Sequence, residues 1–172
     1  YRVLSEVMDL TGKSVLEVGC GFGDFGAFLF KKYEGVQYAG IDISSRMIEE
    51  GRRARPDLRL RHVNLMDMDS NQKFDVVLAQ GIFYLITGDA EAKMRSLVEK
   101  MFSLAQQAVA FSAISTWAPN QNGTEFYVNP VKLLEWLRHL TPYLALRHDY
   151  HSGDVTFYLY KEKRNGNDKT RE

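Results

Sequence analysis

An apolar segment, Val15-Leu16-Glu17-Val18, runs directly into Gly19-Cys20-Gly21-Phe22-Gly23, and a second apolar run, Tyr38-Ala39-Gly40-Ile41, closes on Asp42. A segment of helical character, Asp24 to Tyr33, lies between them. Glycine lacks Cβ, so the backbone of such a loop can turn sharply and a ligand can lie directly against it. An acid about twenty residues further on, at the end of the next strand, is where a nucleotide-binding βαβ unit keeps the carboxylate that binds ribose. A backbone cradle and a diol-binding acid in one unit point to a ribose-containing cofactor.

Two cofactor classes fit that description. Gly21-x-Gly23-x-x-Gly26 matches the dinucleotide fingerprint, whose glycines bring a pyrophosphate to a helix N-terminus. The glycine series here starts earlier, however, at Gly19, and Glu17 precedes it by two residues. The pattern Glu-x-Gly-x-Gly-x-Gly resembles motif I of the class I S-adenosylmethionine (SAM)-dependent methyltransferases. That cofactor carries a cationic ammonium and no phosphate, and a carboxylate beside the loop complements the ammonium. The resemblance implies SAM as cofactor and S-adenosylhomocysteine (SAH) as product. An NAD-dependent oxidoreductase is the competing reading.

Of 172 residues, 45% are hydrophobic and 26% charged, enough for one domain with a substantial core. Basic and acidic residues balance at 22 each, which argues against a nucleic-acid substrate. The basic stretch Arg46 to Arg61 is interspersed with Glu49, Glu50 and Asp57 and reads as a solvated helix face. One cysteine, Cys20, allows no internal disulfide, and no signal peptide or long apolar span is evident, so a cytoplasmic location and no membrane partner are expected. The chain starts at Tyr1 without an initiator Met, which leaves room for residues upstream. No Cys, His or carboxylate set has metal-ligand spacing, and no metal is expected. Oligomeric state is not encoded in any recognisable pattern.

Strands and helices alternate, which predicts a parallel sheet covered on both faces. Val3 to Leu10 has helical spacing. Strands are expected at Ser14–Val18, Val36–Ile43, Leu58–Val63, Phe74–Ala79 and Ala108–Ile114. Ser44 is placed to cap a helix through Arg53 that Pro56 stops, and Met94, Leu97, Val98, Met101 and Leu104 mark a helix over Asp89–Ala105. Asn129-Pro130 signals a helix start. Leu144–Tyr150 and Val155–Lys161, joined at His151-Ser152-Gly153-Asp154, read as a hairpin, and the polar residues 162–172 as a disordered tail.

A hairpin at this end is incompatible with a wholly parallel sheet, which needs a crossover there. Class I methyltransferases end with a reversed seventh strand inserted beside the sixth. The resemblance thus covers residues 1–161 as one methyltransferase domain. It implies a three-layer αβα sandwich around a seven-stranded, mostly parallel Rossmann-like sheet with one antiparallel strand.

The resemblance also assigns residues. Glu17, Gly19, Gly21 and Gly23 would line the amino-acid half of the cofactor, with Cys20 a small filler contributing its amide. Asp42 would accept hydrogen bonds from both ribose hydroxyls, or alternatively cap the helix that follows. Ile43 and Met47 would pack on the adenine, although Met47 also suits a helix core position. Asn64-Leu65 would meet the adenine after the third strand, with Asp67 as the alternative. Gln80-Gly81 would present backbone to the methionine portion, and Tyr84 would face the reaction centre or sit half-buried in the core.

Methyl transfer from a sulfonium needs positioning and exclusion of water, and a base only where the acceptor must lose a proton. The Asn-Pro-Pro-aromatic tetrad of many amide- and base-methylating enzymes is absent; Ala79-Gln80-Gly81-Ile82 stands there instead. A small-molecule acceptor methylated at O, N or C is therefore expected. An RNA or protein methyltransferase and a non-catalytic SAM-binding protein are the alternatives. Ligands of open α/β sheets bind outside the carboxyl ends of the strands. Trp117 and the loop Ala118–Gly123 are expected as the near wall of the acceptor site, with Tyr127 as a lid. His148 and His151, about three strands or roughly 14 Å away, are expected to line an outer wall or finish the hairpin.

Overall fold

The computed structural model describes residues 1–164; the tail expectation therefore falls largely on 165–172, outside the described residues. The chain runs α1 (Arg2–Ser5), β1 (Ser14–Val18), α2 (Asp24–Lys32), β2 (Gln37–Asp42), α3 (Ser45–Ala54) and β3 (Arg59–His62). After a single 3₁₀ turn (Leu65–Asp67) follow β4 (Phe74–Ala79), α4 (Ala90–Leu104), β5 (Ala105–Ile114), α5 (Pro130–Leu137), β6 (Leu144–Arg147) and β7 (Asp154–Tyr160). The strand order is β3-β2-β1-β4-β5-β7-β6, with β7 antiparallel to both of its neighbours and every other pair parallel.

Alternate residues of each strand feed separate cores, because side chains of a strand point to opposite faces. On one face Val15, Val76, Leu78, Ala108, Ala110 and Tyr158 pack with Phe25 and Leu29 of α2 and Ile48 of α3. On the other, Leu16, Val18, Val77, Val109 and Phe111 pack with Met94, Val98 and Met101 of α4 and Leu133 and Leu137 of α5. That is the expected three-layer architecture. The helix starts follow the sequence: Ser44, Asp89 and Asn129 each accept backbone N–H bonds as N-caps.

Three boundaries differ from the sequence reading by three residues or more. The first helix stops at Ser5 instead of continuing to Leu10. The Tyr158 hydroxyl donates to the Val3 carbonyl and the Tyr160 hydroxyl to the Val7 carbonyl, while Thr11 N–H turns to Asp9 Oδ1. Tertiary partners thus take carbonyls that a longer helix would have used. Strand β5 starts at Ala105, directly from the helix, because Ala105 already pairs with Phe74 across a register shift. The hairpin connection is longer than four residues: β6 ends at Arg147 and β7 begins at Asp154. His148 Nδ1 donates to the Asp154 carbonyl at 2.7 Å, and Gly153 N–H donates to His151 Nδ1 at 3.1 Å. Both histidines finish the hairpin.

Candidate active site

The loop after β1 is built by backbone. The N–H groups of Gly19 and Cys20 both donate to the Ile41 carbonyl, and that of Gly23 donates to the Cys20 carbonyl. Gly21 N–H donates to Asp42 Oδ2 at 2.9 Å. A loop that cradles a pyrophosphate keeps its amides free to donate to it. Here four of them are already engaged within the protein, which disfavours the dinucleotide reading.

The glycines differ in what they face. All three have positive φ, +72° at Gly19, +53° at Gly21 and +80° at Gly23. A Cβ on Gly19 would stand 2.2 Å from Ile82 Cγ2, and one on Gly23 would stand 2.8 Å from Leu58 Cδ1. Those two are packed from behind by side chains. Only at Gly21 is the approach open, bounded by the Met47 sulfur at 3.8 Å.

Asp42, at the end of β2, is 9% exposed and locks the loop to α3. Its Oδ2 accepts from Gly21 N–H, and Oδ1 accepts from Ser44 N–H at 2.8 Å. Asp42 therefore fixes the turn into α3, whose N-cap is Ser44 itself. Each carboxylate oxygen has a second lone-pair site, so a diol can still be bound by a carboxylate fixed in place. Beside it, Ile43 is 75% exposed and Met47 40%, an uncovered apolar surface next to an acceptor pair. That combination fits an adenosine.

Two other positions depart from the sequence assignment. Asn64 caps the 3₁₀ turn, accepting from Met66 N–H at 3.0 Å, and that turn sends Leu65 into the core at 3% exposure. Met66 is the exposed apolar residue there, at 48%, and Asp67 is exposed within the turn. Phe22, between Gly21 and Gly23, is a second exposed apolar residue, at 39%. Periodicity cannot detect either, because both sit in single turns.

Glu17 does not project into the loop. It is 4% exposed and accepts a short hydrogen bond from the Tyr38 hydroxyl through Oε2. Burial pushes its carboxyl up to about 8, against the opposing pull of the Tyr38 bond and with a further push from Asp24 and Asp42. The simple argument from a charged carboxylate beside the loop therefore fails at neutral pH, where Glu17 is largely protonated. Cys20 is also buried, and desolvation pushes its thiol up to about 12, which makes it inert packing.

A cavity of about 390 Å³ opens beyond β4, in the size range of small-ligand pockets. Gln80, Ser112, Thr156, Asp154 and Tyr150 line its sheet side, and the N-terminal segment Tyr1–Leu4 roofs it. Of the residues singled out in the sequence, only Gln80 reaches it. Trp117 is exposed, with its ring 5.1 Å from that of His148. Tyr127 is tied within its own loop, donating to Glu125 Oε2 at 2.7 Å and accepting from Asn122 N–H at 2.8 Å. Tyr84 is half-buried near Gly81, and its carbonyl accepts from Phe126 N–H. The near wall is supplied by β7 because a reversed strand begins at the carboxyl edge of its parallel neighbours. Asp154 and Thr156 pair there with Ile114 and Ser112.

Among the described residues no group of three or more His, Cys, Asp or Glu is placed to hold a metal ion, and no helix is long and apolar enough to cross a membrane.

The chain is similar to known proteins in the same respects. Residues 16–107 match the family model described as a methyltransferase domain. A fatty-acid O-methyltransferase of Mycolicibacterium smegmatis is 24% identical over 93% of this chain and 71% of its own length. An uncharacterized protein of Rickettsia prowazekii is 26% identical over 108 residues, and the chain spans only 42% of its length. Among solved structures, magnesium protoporphyrin IX methyltransferase from Synechocystis with bound SAM superposes with a TM-score of 0.71 at 16% identity, over 94% of this chain and 77% of that one. The β-strand order, the glycine loop locked to Asp42 and the family match over residues 16–107 agree: this chain belongs to the methyltransferase domain family.

Proposed function

We propose that this chain is a SAM-dependent methyltransferase acting on a small-molecule acceptor, with residues 1–161 as its catalytic domain. The observation that carries the reading is the Asp42 carboxylate. It is fixed by Gly21 and Ser44, keeps spare acceptor capacity, and stands beside the uncovered Ile43 and Met47. Asp42 would bind the ribose, and Ile43, Met47 and Met66 would cover the adenine. The open side of Gly21 would let the chain of the cofactor run toward Gln80. The bound cofactor supplies an activated methyl group. The protein's share is to hold the acceptor atom in line with it and to exclude water.

A small acceptor is supported by the cavity at Gln80 and by the balanced charge of the chain. The similar fatty-acid and porphyrin methyltransferases support the same class. Asn64, Leu65 and Cys20 would then contribute backbone and turn geometry, and Tyr84, Trp117 and Tyr127 the approach to the cavity. Incubating the protein with methyl-labelled SAM and a metabolite extract tests the reading. Label should appear in compounds of low molecular mass, and label confined to RNA or protein would refute it.

A further inference from the structure

The lining of the cavity changes character at one level across three adjacent strands. Along the face shared with α2 and α3, β4 and its end read Val76, Leu78, Gln80, and β5 reads Ala108, Ala110, Ser112. From its far end, β7 reads Tyr160, Tyr158, Thr156, Asp154. Each series turns polar near the carboxyl edge: Gln80 follows Ala79, which pairs with Phe111, Ser112 pairs with Thr156, and Asp154 lies one register further, opposite Ile114. Ser112 and Thr156 are direct cross-strand partners, and the Tyr150 hydroxyl lies 2.7 Å from Thr156 Oγ1. The switch comes where the face opens: Gln80 is exposed and Ser112 and Asp154 are half-buried, so these polar groups are presented to an occupant of the cavity.

Asp154 is the carboxylate of the lining. Its Oδ2 stands 3.7 Å from His151 Nδ1, which accepts from Gly153 N–H. The one guanidinium of the lining, Arg2, is largely exposed and faces Glu6 at 3.8 Å. Ser112, Thr156, Tyr150 and Gln80 can each accept a hydrogen bond. A carboxylate ligand would meet the Asp154 carboxylate, and an alkyl chain would strand the hydroxyls.

We propose that the cavity at the ends of β4, β5 and β7 selects a compact acceptor bearing an amino or hydroxyl donor, with Asp154 as its specificity-determining residue. The proposal rests on the methyltransferase reading above. It differs from a site for fatty acids or other anionic acceptors.

Ligand-observed NMR on the SAH-saturated protein tests it, with benzylamine, benzyl alcohol, toluene and benzoate as probes. Calorimetry first establishes SAH binding, and its failure would strike the methyltransferase reading itself. With SAH bound, benzylamine and benzyl alcohol should bind without displacing it, and toluene and benzoate should bind more weakly. Asp154→Asn should weaken benzylamine by roughly tenfold, the value of one charge-assisted hydrogen bond, and leave SAH affinity unchanged. Thr156→Val should weaken benzyl alcohol. Preferential binding of benzoate, displacement of SAH by the probes, absence of probe binding, or indifference of benzylamine to Asp154→Asn would each overturn the proposal.

Discussion

The two ends of the site are built from different materials. At β1–β2 the loop is shaped by main chain: the amides of Gly19, Cys20, Gly21 and Gly23 are satisfied by the Ile41 and Cys20 carbonyls and by Asp42. At β4–β5–β7 the cavity is shaped by side chains, from residues as distant in sequence as Arg2 and Thr156. A backbone-built site tolerates little substitution, since its form depends on dihedral angles. A side-chain-built site can change its ligand with one residue and keep the fold. The first end lies wholly within residues 16–107, which match the family model, whereas Ser112, Tyr150, Asp154 and Thr156 of the second lie outside them.

The sharpest contrast should come from Asp42→Ala. The substitution removes the proposed ribose acceptor and releases both Gly21 N–H and Ser44 N–H. SAM binding followed by equilibrium dialysis should weaken by about 1–3 kcal/mol or more. Asp154→Asn at the other end should leave that affinity intact. Equal losses from the two substitutions would erase the distinction between the ends.

Next in size is Gly19→Ala. The new Cβ would meet Ile82 Cγ2, an atom on a β-branched carbon with little freedom to move, at a φ of +72°. A loss above about 2 kcal/mol in chemical denaturation is expected. Gly12→Ala is the control: its φ is +68°, yet nothing lies within 4 Å of the added Cβ. Strain alone, about 1–2 kcal/mol, should remain there. Identical losses would mean that the packing behind Gly19 is not as described.

A pH effect follows from Glu17. Its carboxyl is raised from 4.5 to about 8 in the folded protein, so the folded state binds more protons than the unfolded chain between those values. The contribution of this group is fully present below about pH 4.5 and is lost as pH rises through about 8. Denaturation midpoints across this range should fall less steeply in Glu17→Gln than in the parent chain. Identical slopes would show that Glu17 is not held neutral.

The smallest effect is expected at the roof of the cavity. Tyr158→Phe removes one hydrogen bond to the Val3 carbonyl, about 1 kcal/mol. Hydrogen exchange should rise across residues 2–8 and not at the β1 loop.

The same division explains what the sequence revealed. Gly19, Gly21, Gly23 and Asp42 announce their end because glycine spacing and a strand-terminal acid are local signals. Apolar runs announce the strands and the terminal hairpin, and the resemblance implies the place of the reversed strand that the sheet order bears out. The cavity at the ends of β4, β5 and β7 is not legible in the sequence because its walls are non-local. Ser112 and Thr156 are ordinary hydroxyl residues until β5 and β7 are paired antiparallel. Trp117 is conspicuous in sequence, yet its ring lies beside His148 on the outside. Glu17 misled for another reason: its distance from the loop is fixed by sequence, but its burial against Tyr38 is a tertiary fact.

Calorimetric titration of the intact chain with SAH and, separately, with NAD tests the central claim most directly. The engaged loop amides, the fixed Asp42 and the uncovered Ile43 and Met47 predict saturable heat with SAH and none with NAD. Saturable heat with NAD and silence with SAH would contradict it.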